Sequence, residues 1–219
     1  MSKVIFGLGN SGAEYAGTRH NVGAMLLAKL SDGFGGRFAK NKFARALVSK
    51  VQICSQEVHL AFCEGFMNNS GDGVARTLAF FRADPSQAVV IYDDITIEPG
   101  RIKLSVGGSS GGHNGVASVM DRIGNDFARI RVGIGAKPFK QMPLADYVLA
   151  KIPPQDALLI DQIDICAVVE AIVGQGMAKA QNRFNAAPKK RAAAQEPVTA
   201  LEDSLDRAAR DSEDSQLRH

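Results

Sequence analysis

No stretch of apolar residues in this 219-residue chain approaches the roughly 20 needed to cross a bilayer, so a membrane-spanning helix is excluded. The opening Met-Ser-Lys-Val has neither the basic n-region nor the long apolar core of a secretory leader, so neither export nor membrane anchoring is expected. Cysteine is scarce: Cys54, Cys63 and Cys166 stand at scattered spacings without a C-x-x-C, and their odd number suits reduced thiols in the cytoplasm better than a disulfide frame. No Walker A sequence, H-E-x-x-H or H-x-x-E-H occurs, and His20, His59, His113 and His219 show no ligand spacing, so metal-dependent hydrolysis is not expected. A strong excess of one charge is also missing. The net charge is +3; residues 186–219 carry 6 basic against 7 acidic side chains, leaving 20 against 16 in the first 185. That mild basic surplus permits an anionic partner without demonstrating one.

What the chain has is alternation. Short apolar runs at Val4–Phe6, Ala44–Val51, Val58–Phe62, Ala88–Tyr92, Ile102–Val106 and Ile130–Ile134 read as strands. Between them, helical periodicity marks Val22–Leu30, Val74–Phe81 and Val116–Ile123. Cys54-Ser-Gln-Glu57 separates two strand-like runs as a hairpin turn, so the expected fold is α/β: one domain over residues 1–185 with a mixed, twisted sheet and helices on both faces. From Pro153 to Met177 an amphipathic pattern predicts one long packing helix with a weak point near Gly174 and Gly176. Beyond Phe184 the aromatics cease, and residues 186–219 are expected to form a polar, flexible tail, with a local capping box at Thr199-Ala-Leu-Glu202.

Chemistry concentrates in four loops at predicted strand ends, where open sheets place their sites. Gly7-Leu-Gly-Asn-Ser-Gly12 follows a strand and fits G-x-G-x-x-G, the fingerprint of a dinucleotide-dependent oxidoreductase. The apolar helical stripe, however, begins only near Val22, too late for the glycines to present a helix N-terminus to pyrophosphate. The loop instead carries an amide, a phenol and an imidazole in Asn10, Tyr15 and His20. Phe66-Met-Asn-Asn-Ser-Gly71, Tyr92-Asp-Asp94 and Gly107-Gly-Ser-Ser-Gly-Gly-His-Asn-Gly115 supply amides and carboxylates at other strand ends. If these ends converge, a neutral His takes a proton from water, a carboxylate fixes its tautomer, and carboxamides hold the water and the developing oxyanion. Plainer roles stand beside each reading: His20 and Asn21 as surface or capping residues, Asp93 and Asp94 as turn formers, His113 as a brace for its glycine loop, Cys63 as a packed, inert thiol. Gly107-Gly-Ser-Ser-Gly111 also fits the serine-hydrolase elbow G-x-S-x-G, although its preceding strand is half polar.

Taken in order, Gly7-Leu-Gly-Asn10, Tyr15, Thr18-Arg-His-Asn-Val-Gly23, Phe66-Met-Asn-Asn-Ser-Gly71, Asp93-Asp94 with Pro99-Gly100, Gly111-Gly-His-Asn-Gly115, Phe127-Ala-Arg-Ile-Arg-Val-Gly-Ile-Gly135 and Tyr147-Val-Leu149 resemble bacterial peptidyl-tRNA hydrolases. The resemblance is collinear over roughly residues 3–185 and stops before the tail. It implies a single-domain α/β enzyme, without a cofactor, that hydrolyses the ester between a peptide and the 3′ end of tRNA; a cytoplasmic monomer is expected. Carried over by motif position, the resemblance makes His20 the general base, with Asp93 supporting its basic form. It would set Asn10 at the first peptide unit, separating N-blocked from free aminoacyl-tRNA, and have Tyr15, Phe66, Asn68 and Asn114 line the crevice. It places basic residues against tRNA phosphate at Lys103 and Arg131, with Arg101 and Arg129 on the same predicted strands. A non-catalytic RNA-binding relative on the same fold is the alternative reading.

Two residues and one short segment depart from the family pattern. Ser11 replaces its usual Pro and is expected to loosen the loop that carries Asn10. Ser105 stands where a second Lys is frequent, which should weaken or redistribute phosphate contact, and the lead-in Cys63-Glu-Gly65 is unusual.

Overall fold

A computed structural model describes residues 2–186. The tail expected over residues 186–219 and its capping box therefore lie, Ala186 apart, outside the described residues. Seven strands form one sheet: β1 (Lys3–Gly7), β2 (Ala39–Asn41), β3 (Ala46–Ile53), β4 (Gln56–Cys63), β5 (Ala88–Asp94), β6 (Ile102–Val106) and β7 (Ala128–Gly133). Their order is β2-β3-β4-β1-β5-β7-β6. β1 runs parallel to β4 and β5, and β5 parallel to β7, whereas β2–β3, β3–β4 and β6–β7 are antiparallel. The sheet is mixed, as the hairpin turn implied. Cys54 and Ser55 at that turn adopt φ of 49° and 60°, the left-handed backbone that a tight hairpin needs.

The central strands β1 and β5 are buried along nearly their whole length, which is why they read as unbroken apolar runs. One face packs α1 (Val22–Gly33) and α6 (Ile165–Gln175) around Ile5, Leu27, Leu60 and Ile91. The other packs α2 (Ser70–Phe81) and α3 (Asn114–Ile123) around Phe6, Val90, Val119 and Phe127. Two elements were not predicted: the three-residue edge strand β2 and α4 (Leu144–Leu149), both too short to carry a period. The helix expected from Pro153 to Met177 is two, α5 (Pro154–Asp161) and α6, and α7 (Met177–Phe184) begins at its end, past the weak point expected near Gly176. Asp164 breaks the first junction by accepting the Ala167 N–H at 3.0 Å as a helix cap, and Gly176 breaks the second at φ 87°.

One close approach positions the site. A Cβ on Gly23 would strike the Ile91 and Leu8 carbonyl oxygens, and one on Gly7 would strike the Gly23 carbonyl. The bare backbone lets the start of α1 rest directly on the ends of β1 and β5, and His20 sits in the short 3₁₀ turn Arg19–Asn21 just ahead of it. The Gly-x-Gly run therefore serves helix–strand contact. The loop after Gly12 continues into another 3₁₀ turn, Ala13–Tyr15, and no helix opens on its glycines.

Candidate functional site

At the carboxyl end of β5 the Asp93 side chain is buried and meets two imidazoles. His20 Nδ1 lies 2.9 and 3.1 Å from its two carboxylate oxygens, and His113 Nε2 lies 2.9 Å from Oδ1. Tautomers follow from the partners. His113 Nδ1 accepts the Val116 N–H at 3.2 Å as the cap of α3, so its proton is on Nε2 and is donated to Asp93. His20 likewise donates Nδ1–H, which leaves its Nε2 lone pair without a hydrogen-bond partner among the described residues. Burial alone would raise the Asp93 carboxyl, but the His113 and His20 rings outweigh it and hold the acid well below the usual carboxylate range. His113 thus does more than brace its loop: it is a second support for the same carboxylate. Sequence reasoning missed this role, for nothing in a Gly-Gly-His-Asn-Gly run shows where the ring points.

Asn10 is fixed by three hydrogen bonds. Its N–H donates to Asn21 Oδ1 at 2.9 Å, its carbonyl accepts from Asn21 Nδ2 at 2.9 Å, and its Oδ1 accepts the Met67 N–H at 2.8 Å. The Met67 donor decides the amide orientation, so Asn10 Nδ2 is the group left for a ligand. Asn21 makes no side-chain cap to α1, contrary to the capping role weighed for it; its amide belongs to Asn10 instead. Ser11, expected to loosen this loop, ties it across to the segment before Phe66: its N–H donates to the Gly65 carbonyl at 2.9 Å and its Oγ accepts the Gly65 N–H at 2.9 Å, two bonds that a proline could not make.

A cavity of about 300 Å³ gathers Asn10, Tyr15, His20, Phe66, Asn68 and Asn114. Tyr15 and Phe66 meet edge to face across it with centroids 6.4 Å apart. A second cavity of about 210 Å³ shares His20 and Asn114 and continues past Asp93 to Arg131. The helix α4 closes both through Ala145 and Val148. Lys103 lies beyond them on β6, exposed and directly opposite Arg131 in the ladder.

The three basic residues of β6 and β7 do not act alike, and Arg101 falls just ahead of β6. Arg131 Nε donates to Asp94 Oδ2 at 2.7 Å, so part of its charge is already answered. Arg129 is 1% exposed and is no phosphate contact. Its guanidinium donates to the Ser109 and Gly108 carbonyls at 2.8 and 2.9 Å and to Asn125 Oδ1, stapling the glycine loop that leads to His113. Strand alternation correctly put Arg129 on the face of Arg131 but gave no depth. Ser109 lies in that stapled loop, well ahead of α3, so no strand-to-helix nucleophile elbow forms there.

His20, Asp93 and His113 offer three ligand atoms within 4.8 Å of one another, a donor set that the sequence spacing of the histidines did not announce. Their facing nitrogens are tied to the carboxylate by hydrogen bonds in this structure. Cys63 packs against Thr77 with its thiol pushed up to about 12 by burial, consistent with an inert sulfur.

Comparison with known proteins follows the same outline. The family described as peptidyl-tRNA hydrolase matches residues 4–193. A peptidyl-tRNA hydrolase of Anaeromyxobacter dehalogenans is 41% identical over 190 residues, covering 84% of this chain and 96% of the relative. One of Lachnospira eligens is 37% identical over 185 residues, covering 83% and 98%. The crystal structure of peptidyl-tRNA hydrolase from Acinetobacter baumannii superposes with a TM-score of 0.79 at 33% identity, covering 84% of this chain and 94% of that one.

Proposed function

Because the chain belongs to the peptidyl-tRNA hydrolase family and hydrolyses the ester that joins a peptide to tRNA, we propose that His20 is the base of that reaction and that the two joined cavities hold the two halves of the substrate. His20 Nε2 takes a proton from a water molecule as the oxygen attacks the ester carbonyl. Asp93 holds the ring by Nδ1 and stabilises the imidazolium that forms. The free N–H groups of Asn10, with the amides of Asn68 and Asn114, donate to the carbonyl oxygens of the first peptide unit and to the developing oxyanion. Collapse of the tetrahedral intermediate expels the 3′-ribose oxygen, which takes the proton back from His20. An activated ester needs no covalent intermediate on the enzyme for this.

Asn10 also gives a reason for preferring blocked substrates. A peptide bond offers Asn10 Nδ2 a carbonyl to pair with, whereas a free aminoacyl group brings an ammonium that only repels an N–H donor. The observation that best supports the whole reading is the junction at Asp93: one carboxylate orients His20 through Nδ1 while the ring lines a cavity walled by three asparagines. It also disfavours a non-catalytic RNA binder, which has no use for an oriented imidazole.

Lys103 and the open side of Arg131 supply phosphate contact, Lys103 making no ion pair among the described residues. With Arg129 spent on the glycine loop and Ser105 in place of a lysine, the patch is narrower than the four-residue cluster expected. We place the enzyme domain at residues 1–185, acting as a monomer in the cytoplasm on tRNA left by abortive translation. The direct test is release of free tRNA from N-acetylated and unblocked aminoacyl-tRNA. His20→Ala should lower turnover roughly 10²–10⁴-fold while tRNA binding survives; retained activity would overturn the assignment.

A further inference from the structure

The bond pair between Ser11 and Gly65 lies outside the acid–base group, yet it touches the two loops that form one wall of the cavity. Asn10 precedes Ser11, and Phe66 follows Gly65. Three hydrogen bonds stitch these short segments together: Ser11 N–H to the Gly65 carbonyl at 2.9 Å, Gly65 N–H to Ser11 Oγ at 2.9 Å, and Met67 N–H to Asn10 Oδ1 at 2.8 Å. Gly65 itself has φ 129°, a backbone that side-chain-bearing residues seldom adopt.

The hydroxyl is the element that secondary structure cannot replace. β4 ends at Cys63, and Gly65 N–H has no strand partner, so Ser11 Oγ takes the place of a missing ladder carbonyl. The clip closes a ring through both backbones. The same loop carries the Met67 N–H that holds the Asn10 amide and the Phe66 ring, which is 60% exposed and meets Tyr15 edge to face, so a slip of the loop would disturb both.

We infer that Ser11 is a positioning residue for recognition of the blocked peptide: its hydroxyl clamps the Gly65–Phe66 loop so that Asn10 Nδ2 and the Phe66 ring meet the first peptide unit together. The inference rests on the reading of Asn10 given above. Its consequence is selective. Loss of the hydroxyl should lower kcat/KM for an N-acetylated substrate and leave slow hydrolysis of the unblocked one untouched, so the ratio between them narrows.

The experiment compares Ser11→Ala, Ser11→Thr and Asn10→Ala in the full chain, with kcat and KM on N-acetylaminoacyl-tRNA and its unblocked counterpart and with amide exchange at Gly65. Ser11→Ala should speed Gly65 exchange and reduce the preference roughly fivefold, the factor equivalent to one hydrogen bond of about 1 kcal/mol, chiefly through KM. Ser11→Thr, which keeps the hydroxyl, should restore both. A wild-type preference in Ser11→Ala beside a lost preference in Asn10→Ala would overturn the role of Ser11 alone. A wild-type preference in Asn10→Ala would remove the reading of Asn10 and the clamp with it.

Discussion

Asp93 governs a larger share of the site than its one charge suggests. Its carboxyl lies below its ordinary value of 3.8, so the folded state binds its proton less readily than the unfolded chain. The sign follows: Asp93 contributes stability above pH 3.8, and that contribution is lost as pH falls from there toward the folded value. Asp93→Asn should therefore remove part of the acid limb of unfolding, seen by circular dichroism as a shallower loss of stability below about pH 4. At neutral pH the same variant should lose most activity, because a neutral amide cannot stabilise the imidazolium that forms on His20 and its NH₂, standing in the place of Oδ2, opposes the His20 Nδ1–H. An acid limb identical to wild type would show that the carboxylate makes no such contribution.

Elements bring these residues together by contact rather than by sequence proximity. Gly23 lets α1 lie on the ends of β1 and β5, and the His20–Asp93 distance depends on that approach. Gly23→Ala should cost about 1–3 kcal/mol of stability by overpacking against backbone. It should also lower kcat more than KM, because His20 is carried away from Asp93; thermal melting and steady-state kinetics check both. The strands were legible because β1 and β5 are buried on both faces, and the hairpin at Cys54 because its composition is that of a turn. The elements that sequence hid are those with no period to show. Ala39-Lys-Asn41 has no apolar alternation, α4 spans fewer than two turns, and α5 and α6 were fused because the cap at Asp164 interrupts an otherwise continuous apolar pattern. The candidate site was legible as a set of residue types at strand ends. Its wiring was not: the Asp93–His113 bond, the Asn10–Asn21 pair and the burial of Arg129 depend on loop paths that no spacing encodes.

Across the whole molecule, the order of the sheet separates the tasks. The acid–base group sits where β1 and β5 lie side by side at the middle, while Lys103 and Arg131 stand on the last two strands of one side. tRNA affinity and ester chemistry should accordingly respond to different substitutions. Lys103→Ala should weaken tRNA binding and reduce the slope of log K against log salt by about 0.7–0.9, as for one phosphate contact. Single-turnover hydrolysis at saturating substrate should change little. Fluorescence titration between low and moderate salt measures the slope, and an unchanged slope would remove Lys103 from the interface.

The shared acceptor at Asp93 has an electrostatic corollary. With both imidazoles neutral, the trio holds a single negative charge beneath a nearly dry floor. In the proposed reaction His20 takes up a proton, imidazolium and carboxylate cancel, and the displaced unit of charge reappears on the oxygen of the attacked carbonyl. Nothing is added to the interior during the reaction; one electron's worth of charge shifts from the floor of the crevice to its mouth. A barrier that would otherwise include creating an ion pair in a poorly solvated space then includes only moving an existing ion outward, toward the amides and water that stabilise it.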